Sequence, residues 1–242
     1  MATLVFDIET VGESWESLDV TTQQILSRWI VRTVQDSDER DALLIDLKEG
    51  LGFSPLTGMI VAIGLYDIER RQGVVYYQGD ALIPDYEVGE FLLKCRSEKE
   101  MLEDFWEGAK AYDTFVTFNG RGFDVPFLNL RSAIQDIRPT YDLMEGRYLY
   151  QQKVVRHVDL QDQMTFYGAM QKRPSLHLFC RAFGIESPKE GGVAGDDVAK
   201  LFSEKKFRDI AEYNARDVIA TTALYKKWLT YLAPQSFLGV LD

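Results

Sequence analysis

The sequence predicts a mixed α/β domain, and three observations carry that prediction. Short apolar runs of strand length alternate with stretches whose apolar residues recur at helical spacing. The 242 residues contain no internal repeat, low-complexity tract or linker-like segment, so one domain spanning 1–242 is expected. Hydrophobic residues make up 46% of the chain, which supports one large core and excludes a disordered chain.

The elements follow in order. Residues 3–8 form a short, nearly all-apolar run, as expected of a strand buried on both faces. From about 14 to 54 the chain turns polar and acidic, with Ile25, Trp29, Leu43, Leu44 and Leu47 at helical spacing. This reads as a helical insertion, acting as a lid, a substrate-guiding arm or an oligomer contact. MIVAIGLYD and GVVYYQG read as two strands joined by a polar turn at 68–72, hence an antiparallel hairpin. Met101, Leu102, Phe105, Trp106 and Ala109 mark an amphipathic helix over 97–112 with Ser97 as N-cap. TFVTF is the next strand, and Pro126 to Ile134 the helix after it. RHVDL reads as the fifth strand. Pro174 opens a helix that Gly184 ends. SPKEGGVAGDDV reads as a loop, followed by a short helix at 198–202 and a long one over 206–232.

Three motifs carry chemistry. Asp7 and Glu9 lie in LVFDIET. Strand alternation puts both carboxylates on one face, about 7 Å apart along it. An Asp-x-Glu alone is common on solvated faces. In so apolar a strand, buried carboxylates need a metal or hydrogen bonds to compensate them. In FNGRGFDVPFL, Asn119 and Gly120 end a strand, Gly122 permits an unusual backbone angle and Asp124 opens a helix. The structural alternative for Asp124 is a plain N-cap. In YNARD, Tyr213 and Asp217 stand at i and i+4, hence on one helix face. There a phenol can hydrogen-bond a water while the carboxylate holds a metal, the alternative being ordinary packing.

Weaker candidates surround these motifs. His157 and Asp159 in HVDLQD read as a strand end, with support of the site as the alternative. Asp196 and Asp197 read as solvated loop residues, with metal contact as the alternative. Arg121, Lys172, Arg173 and Lys189 are candidate phosphate contacts. Cys95 and Cys180 lack zinc or redox spacing and read as reduced core thiols. No apolar run approaches the roughly 18 residues of a membrane helix, and no signal-like segment opens the chain. A cytoplasmic protein is expected.

Taken together, the motifs resemble the DEDD superfamily of 3'-5' exonucleases, in the subclass whose last motif carries tyrosine. The position of the sister subclass's histidine, one residue before Tyr213, is Glu212. The chain is similar to the exonuclease domains of family B DNA polymerases and to a stand-alone bacterial and phage family related to them. FDIET, TGMIVAIGL, FNGRGFDVPFL, HVDLQD, SPKEGGVAGDDV and YNARDVIAT carry the likeness, which covers nearly all the chain except the insertion.

This resemblance implies a ribonuclease H-like fold, a five-stranded mixed sheet with helices on both faces. It implies that Asp7, Glu9, Asp124 and Asp217 hold two magnesium or manganese ions. Tyr213 would orient the attacking water and help deprotonate it, and Glu9 would also touch the terminal 3'-hydroxyl. Phe123 and its apolar neighbours would stack on the last bases, with Asn119, Arg121 and Lys189 also contacting the strand. The expected reaction is removal of nucleoside monophosphates from the 3' ends of single-stranded DNA. An exoribonuclease or oligonucleotide-trimming enzyme is the alternative, and a non-catalytic nucleic-acid-binding module a more distant one. No polymerase domain follows, so proofreading in cis is not expected.

The net charge of −11 works against a nucleic-acid partner, because phosphate binding draws on Lys and Arg. Part of the excess is the proposed metal site, which divalent cations would neutralise. Much of the rest lies in stretches such as DSDERD and EKEMLEDFWE. The strand-binding surface is therefore expected to be local.

Overall fold

The structure is a computed structural model that describes residues 2–79, 84–191 and 195–239. Its strands are β1 (Thr3–Gly12), β2 (Gly58–Asp67), β3 (Gln72–Tyr77), β4 (Tyr86–Val88), β5 (Phe91–Cys95), β6 (Thr114–Thr117) and β7 (Arg156–Asp159). The helices are α1 (Val20–Thr33), α2 (Ser37–Glu49), α3 (Glu98–Ala109), α4 (Asp124–Ile134), α5 (Leu160–Met164), α6 (Leu176–Phe183), α7 (Val198–Ser203), α8 (Phe207–Tyr231) and α9 (Gln235–Leu238).

One sheet of order β4-β5-β3-β2-β1-β6-β7 organises the molecule. Its core, β3-β2-β1-β6-β7, is the expected five-stranded arrangement. The β1-β2-β3 meander is antiparallel, and β6 and β7 join it in parallel. The sheet has seven strands rather than five, because β5 adds in parallel to β3 and β4 pairs with β5 at the edge. RHVDL is accordingly the seventh strand in chain order, at the position expected of the fifth strand of the core.

Alternation along β1 feeds two separate cores. Leu4, Phe6 and Ile8 pack with Met101, Phe105 and Trp106 of α3 and with Val125 and Phe127 of α4. Val5 faces the other way, into a core with Ile210, Val218, Leu224 and Trp228 of α8. Strand period therefore points Asp7 and Glu9 toward α8. A register shift between Glu9 and Thr10 bends the strand just past the second acid.

Local chemistry sets the helix ends. Ser97 and Glu100 form a reciprocal capping box at the start of α3. Gly184, left-handed at φ 65°, ends α6. The insertion is helical as expected, with α1 and α2 capped by Asp19 and Asp36. Its apolar spacing does not build a core: Ile25 and Trp29 are exposed, and Ile30 is the one buried residue of the two helices. Among the described residues no helix is long and apolar enough to cross a membrane.

Candidate active site

Three elements converge at the carboxyl end of β1. The strand contributes Asp7 and Glu9. The buried helix α8 lies across the sheet and contributes Tyr213 and Asp217. The first residue of α4 contributes Asp124. Carboxylate oxygens of Asp7, Glu9 and Asp217 all lie within 4.8 Å of one another. Asp124 stands beside them, its charge acting on Asp7, while its Oδ1 accepts the Ile8 N–H at 3.1 Å. The structure thus brings the four sequence-identified acids together from three distant segments.

The electrostatics are those of crowded, buried like charges. Burial raises the Asp7 carboxyl well above the usual range, and Asp124, Asp217 and Glu9 raise it further. Burial, then Asp217, raises Glu9 likewise. Asp124 is pushed up to about 7 by burial, against the pull of backbone hydrogen bonds. Asp217 is pushed up to about 6 by burial, against the Tyr213 hydroxyl, Arg216 and Lys189. Among the described residues none of the four acids has a salt-bridge partner.

Tyr213 lies one helical turn before Asp217, near enough for its hydroxyl to draw the carboxylate's pKa down, and burial raises its own. The i, i+4 pair read from YNARD is thus on α8, with both residues buried.

Asn214, between them in sequence, was not singled out by the motif. Its Nδ2 donates to Asp7 Oδ2 at 2.9 Å, and its amide also acts on Glu9. The space for it comes from Gly64, which faces Asp7 across the β1–β2 pair. A Cβ on Gly64 would overlap the Asn214 carboxamide oxygen and lie 2.9 Å from Val218 Cγ2. No local signal marks Asn214, because its role depends on a glycine distant in sequence.

The turn before α4 is held by Asp159. Its carboxylate accepts the Asn119 and Arg121 amides at 3.0 and 2.9 Å, and caps α5 through Gln161 and Asp162. Asp159 therefore braces the loop that aims Asp124. His157 bridges Thr117 Oγ1 and the Leu143 carbonyl inside the core, and burial lowers its pKa to about 4. The left-handed residue of this turn is Asn119, at φ 63°, rather than Gly122 as expected. Gly122 is needed for closeness instead, since a Cβ there would lie 2.6 Å from Asn119 Oδ1.

The expected strand contacts are placed unequally. Phe123 packs on Phe127, with ring centroids 5.2 Å apart, directly before Asp124. Lys189 is exposed, close enough to Asp217 to draw its pKa down. Arg121 directs its guanidinium at the Leu143 and Met144 carbonyls. Lys172 and Arg173 are exposed. Asp197 precedes α7, and the Asp196 side chain lies outside the described residues. A groove of about 570 Å³ between the β4–β5 edge and α8, lined by Val88, Phe91, Ile185 and Ile219, contains none of the four acids. Its apolar lining offers little to a charged substrate.

Comparisons with known proteins identify the family and the fold. The family described as a predicted 3'-5' exonuclease related to the exonuclease domain of PolB matches residues 84–237. The exonuclease domain of DNA polymerase family B matches residues 1–142. The structure of the family B DNA polymerase from the hyperthermophilic archaeon Pyrobaculum calidifontis is similar in fold, with a TM-score of 0.59 at 19% identity. That likeness covers 94% of this chain and 24% of the polymerase chain. No curated protein matches the sequence. The chain belongs to the family of 3'-5' exonucleases related to the exonuclease domain of family B DNA polymerases.

Proposed function

We propose that this exonuclease hydrolyses single-stranded DNA from its 3' end to nucleoside monophosphates, using two divalent ions held by Asp7, Glu9, Asp124 and Asp217. One observation carries the reading: carboxylates gathered, buried or half-buried, with raised pKa values and, among the described residues, no salt-bridge partner. Such a cluster is costly unless cations offset it. An all-carboxylate, hard-oxygen donor set suits magnesium or manganese. When bound, the ions would supply Lewis acidity at the phosphodiester and charge neutralisation in the transition state.

The chain's own residues do the rest. Asn214 holds the Asp7 carboxylate in one orientation by its 2.9 Å hydrogen bond. Asp159 fixes the turn that presents Asp124. Tyr213, one helical turn from Asp217, would orient the attacking water. Burial and the neighbouring carboxylates raise its pKa in the metal-free protein, which favours the protonated phenol as a hydrogen-bond donor. Phe123 offers a ring to the terminal base beside the carboxylates, and Lys189 a cation to the phosphate.

The test is digestion of matched DNA and RNA strands labelled at one end, with each end blocked in turn. Loss of single nucleotides from free 3' DNA ends, abolished by EDTA and by Asp7→Ala, is expected. Attack from the 5' end, or unchanged activity in EDTA, would overturn the proposal. Faster digestion of RNA would reassign the substrate.

A further inference from the structure

Phe53 is an aromatic residue left in water next to the site. It is 68% exposed, although the chain around it is tightly held. It ends the short 3-10 turn Gly50–Phe53, where the insertion returns to the sheet. Thr10 Oγ1, the residue after Glu9, donates to the Gly52 carbonyl at 2.8 Å. Thr57 Oγ1 donates to the Leu51 carbonyl at 2.8 Å, and the Glu13 amide to the Thr57 carbonyl at 2.8 Å. Farther along, Arg131, paired with buried Glu98, donates to the Pro55 carbonyl at 3.3 Å. Phe53 is therefore a ring on a rigid mount, not on a loose loop.

Its one ring neighbour among the described residues is Phe123, edge-to-face, with centroids 6.5 Å apart. Phe123 in turn leans on Phe127 of the core. The three rings form a row from the core outward, and Asp124 follows the middle one. A lone exposed Phe is commonly a neutral surface residue. One that is rigidly mounted, continues a row of rings and sits just past the second acid of β1 has the attributes of a stacking platform. Base–aromatic stacking is sequence-tolerant, because every base has a π-face.

We propose that Phe53 is a base-stacking residue that the helical insertion supplies to the site, extending the Phe123 surface to a second base near the 3' end. The inference rests on the proposed function. It makes the insertion a substrate-guiding arm. It also favours unpaired ends, because a base stacked on Phe53 must leave its partner strand.

The test measures binding of 5'-labelled oligothymidines with calcium in place of magnesium. One oligomer is intact and one lacks the bases of its last two nucleotides. Phe53→Ala is expected to weaken binding of the intact oligomer about five- to fiftyfold, and to leave binding of the abasic one unchanged. Phe53→Trp should restore the intact oligomer. Equal losses on both oligomers, or none on either, would overturn the role of Phe53. If wild type cleaves normally in that case, the proposed function stands and only this inference falls. If wild type neither binds nor cleaves, the proposed function fails and takes the inference with it.

Discussion

Tyr213, Asn214 and Asp217 leave α8 within little more than one turn, and each meets a different partner. Asn214 reaches across to Asp7, and Tyr213 stands one turn before Asp217. The tyrosine hydroxyl can act on water only if its loss spares the metal site. Tyr213→Phe removes that oxygen and keeps the ring. Calorimetry with manganese should then give an affinity near wild type, while the chemical step slows about ten- to a thousandfold. The loss should fall on kcat more than on KM, because the hydroxyl serves the water and not the strand. Unchanged turnover would make Tyr213 a packing residue. Collapsed manganese affinity would make it a brace for Asp217.

At the scale of elements, the meeting of β2 with α8 decides whether the acids are aimed. Gly64 lets the helix come close enough for the Asn214 amide to sit over Asp7. Gly64→Ala should push that amide away and lower metal affinity about ten- to a hundredfold, the usual cost of losing an outer hydrogen bond to a ligand. Manganese titration of the folded variant checks this, and an unchanged affinity would deny Asn214 its role. This contact also shows where the sequence stops being legible. Asp7, Glu9, Asp124 and Asp217 could be read because each lies in a short motif with its own apolar frame. Asn214 could not, because its role is created by a gap in another strand. Strands β1 and β2 announced themselves as largely apolar runs, and β3, β6 and β7 as short stretches around Val and aromatic residues. Strands β4 and β5 did not: Glu87 and Val88 are exposed, Lys94 interrupts the second, and β4 is the sheet edge. The insertion's apolar spacing gave its helices but not their exposure, since periodicity cannot say whether a partner face exists.

For the whole molecule, the carboxylate cluster opposes folding until cations arrive, and the chain already carries a net charge of −11. That balance favours local contact with a strand end over broad coating of nucleic acid. It also sets the pH dependence of the metal-free protein. A carboxyl whose pKa is raised by folding binds protons more tightly in the native state than in the unfolded chain. Its contribution is complete below the ordinary value of 3.8, and is lost as pH rises through about 6 for Asp217 and about 7 for Asp124. In EDTA, the melting temperature of the wild type should therefore fall relative to Asp124→Asn as pH rises from about 4 to about 7. The asparagine keeps the oxygen that accepts the Ile8 amide and removes only the charge. Exposed carboxylates elsewhere titrate alike in both proteins, so the difference between the two melting curves isolates the cluster. Adding manganese should raise the wild-type melting temperature more at the higher pH, where protons no longer compete for the carboxylates. Parallel pH profiles for the two proteins would mean that Asp124 titrates normally and that the acids are less crowded than their positions imply.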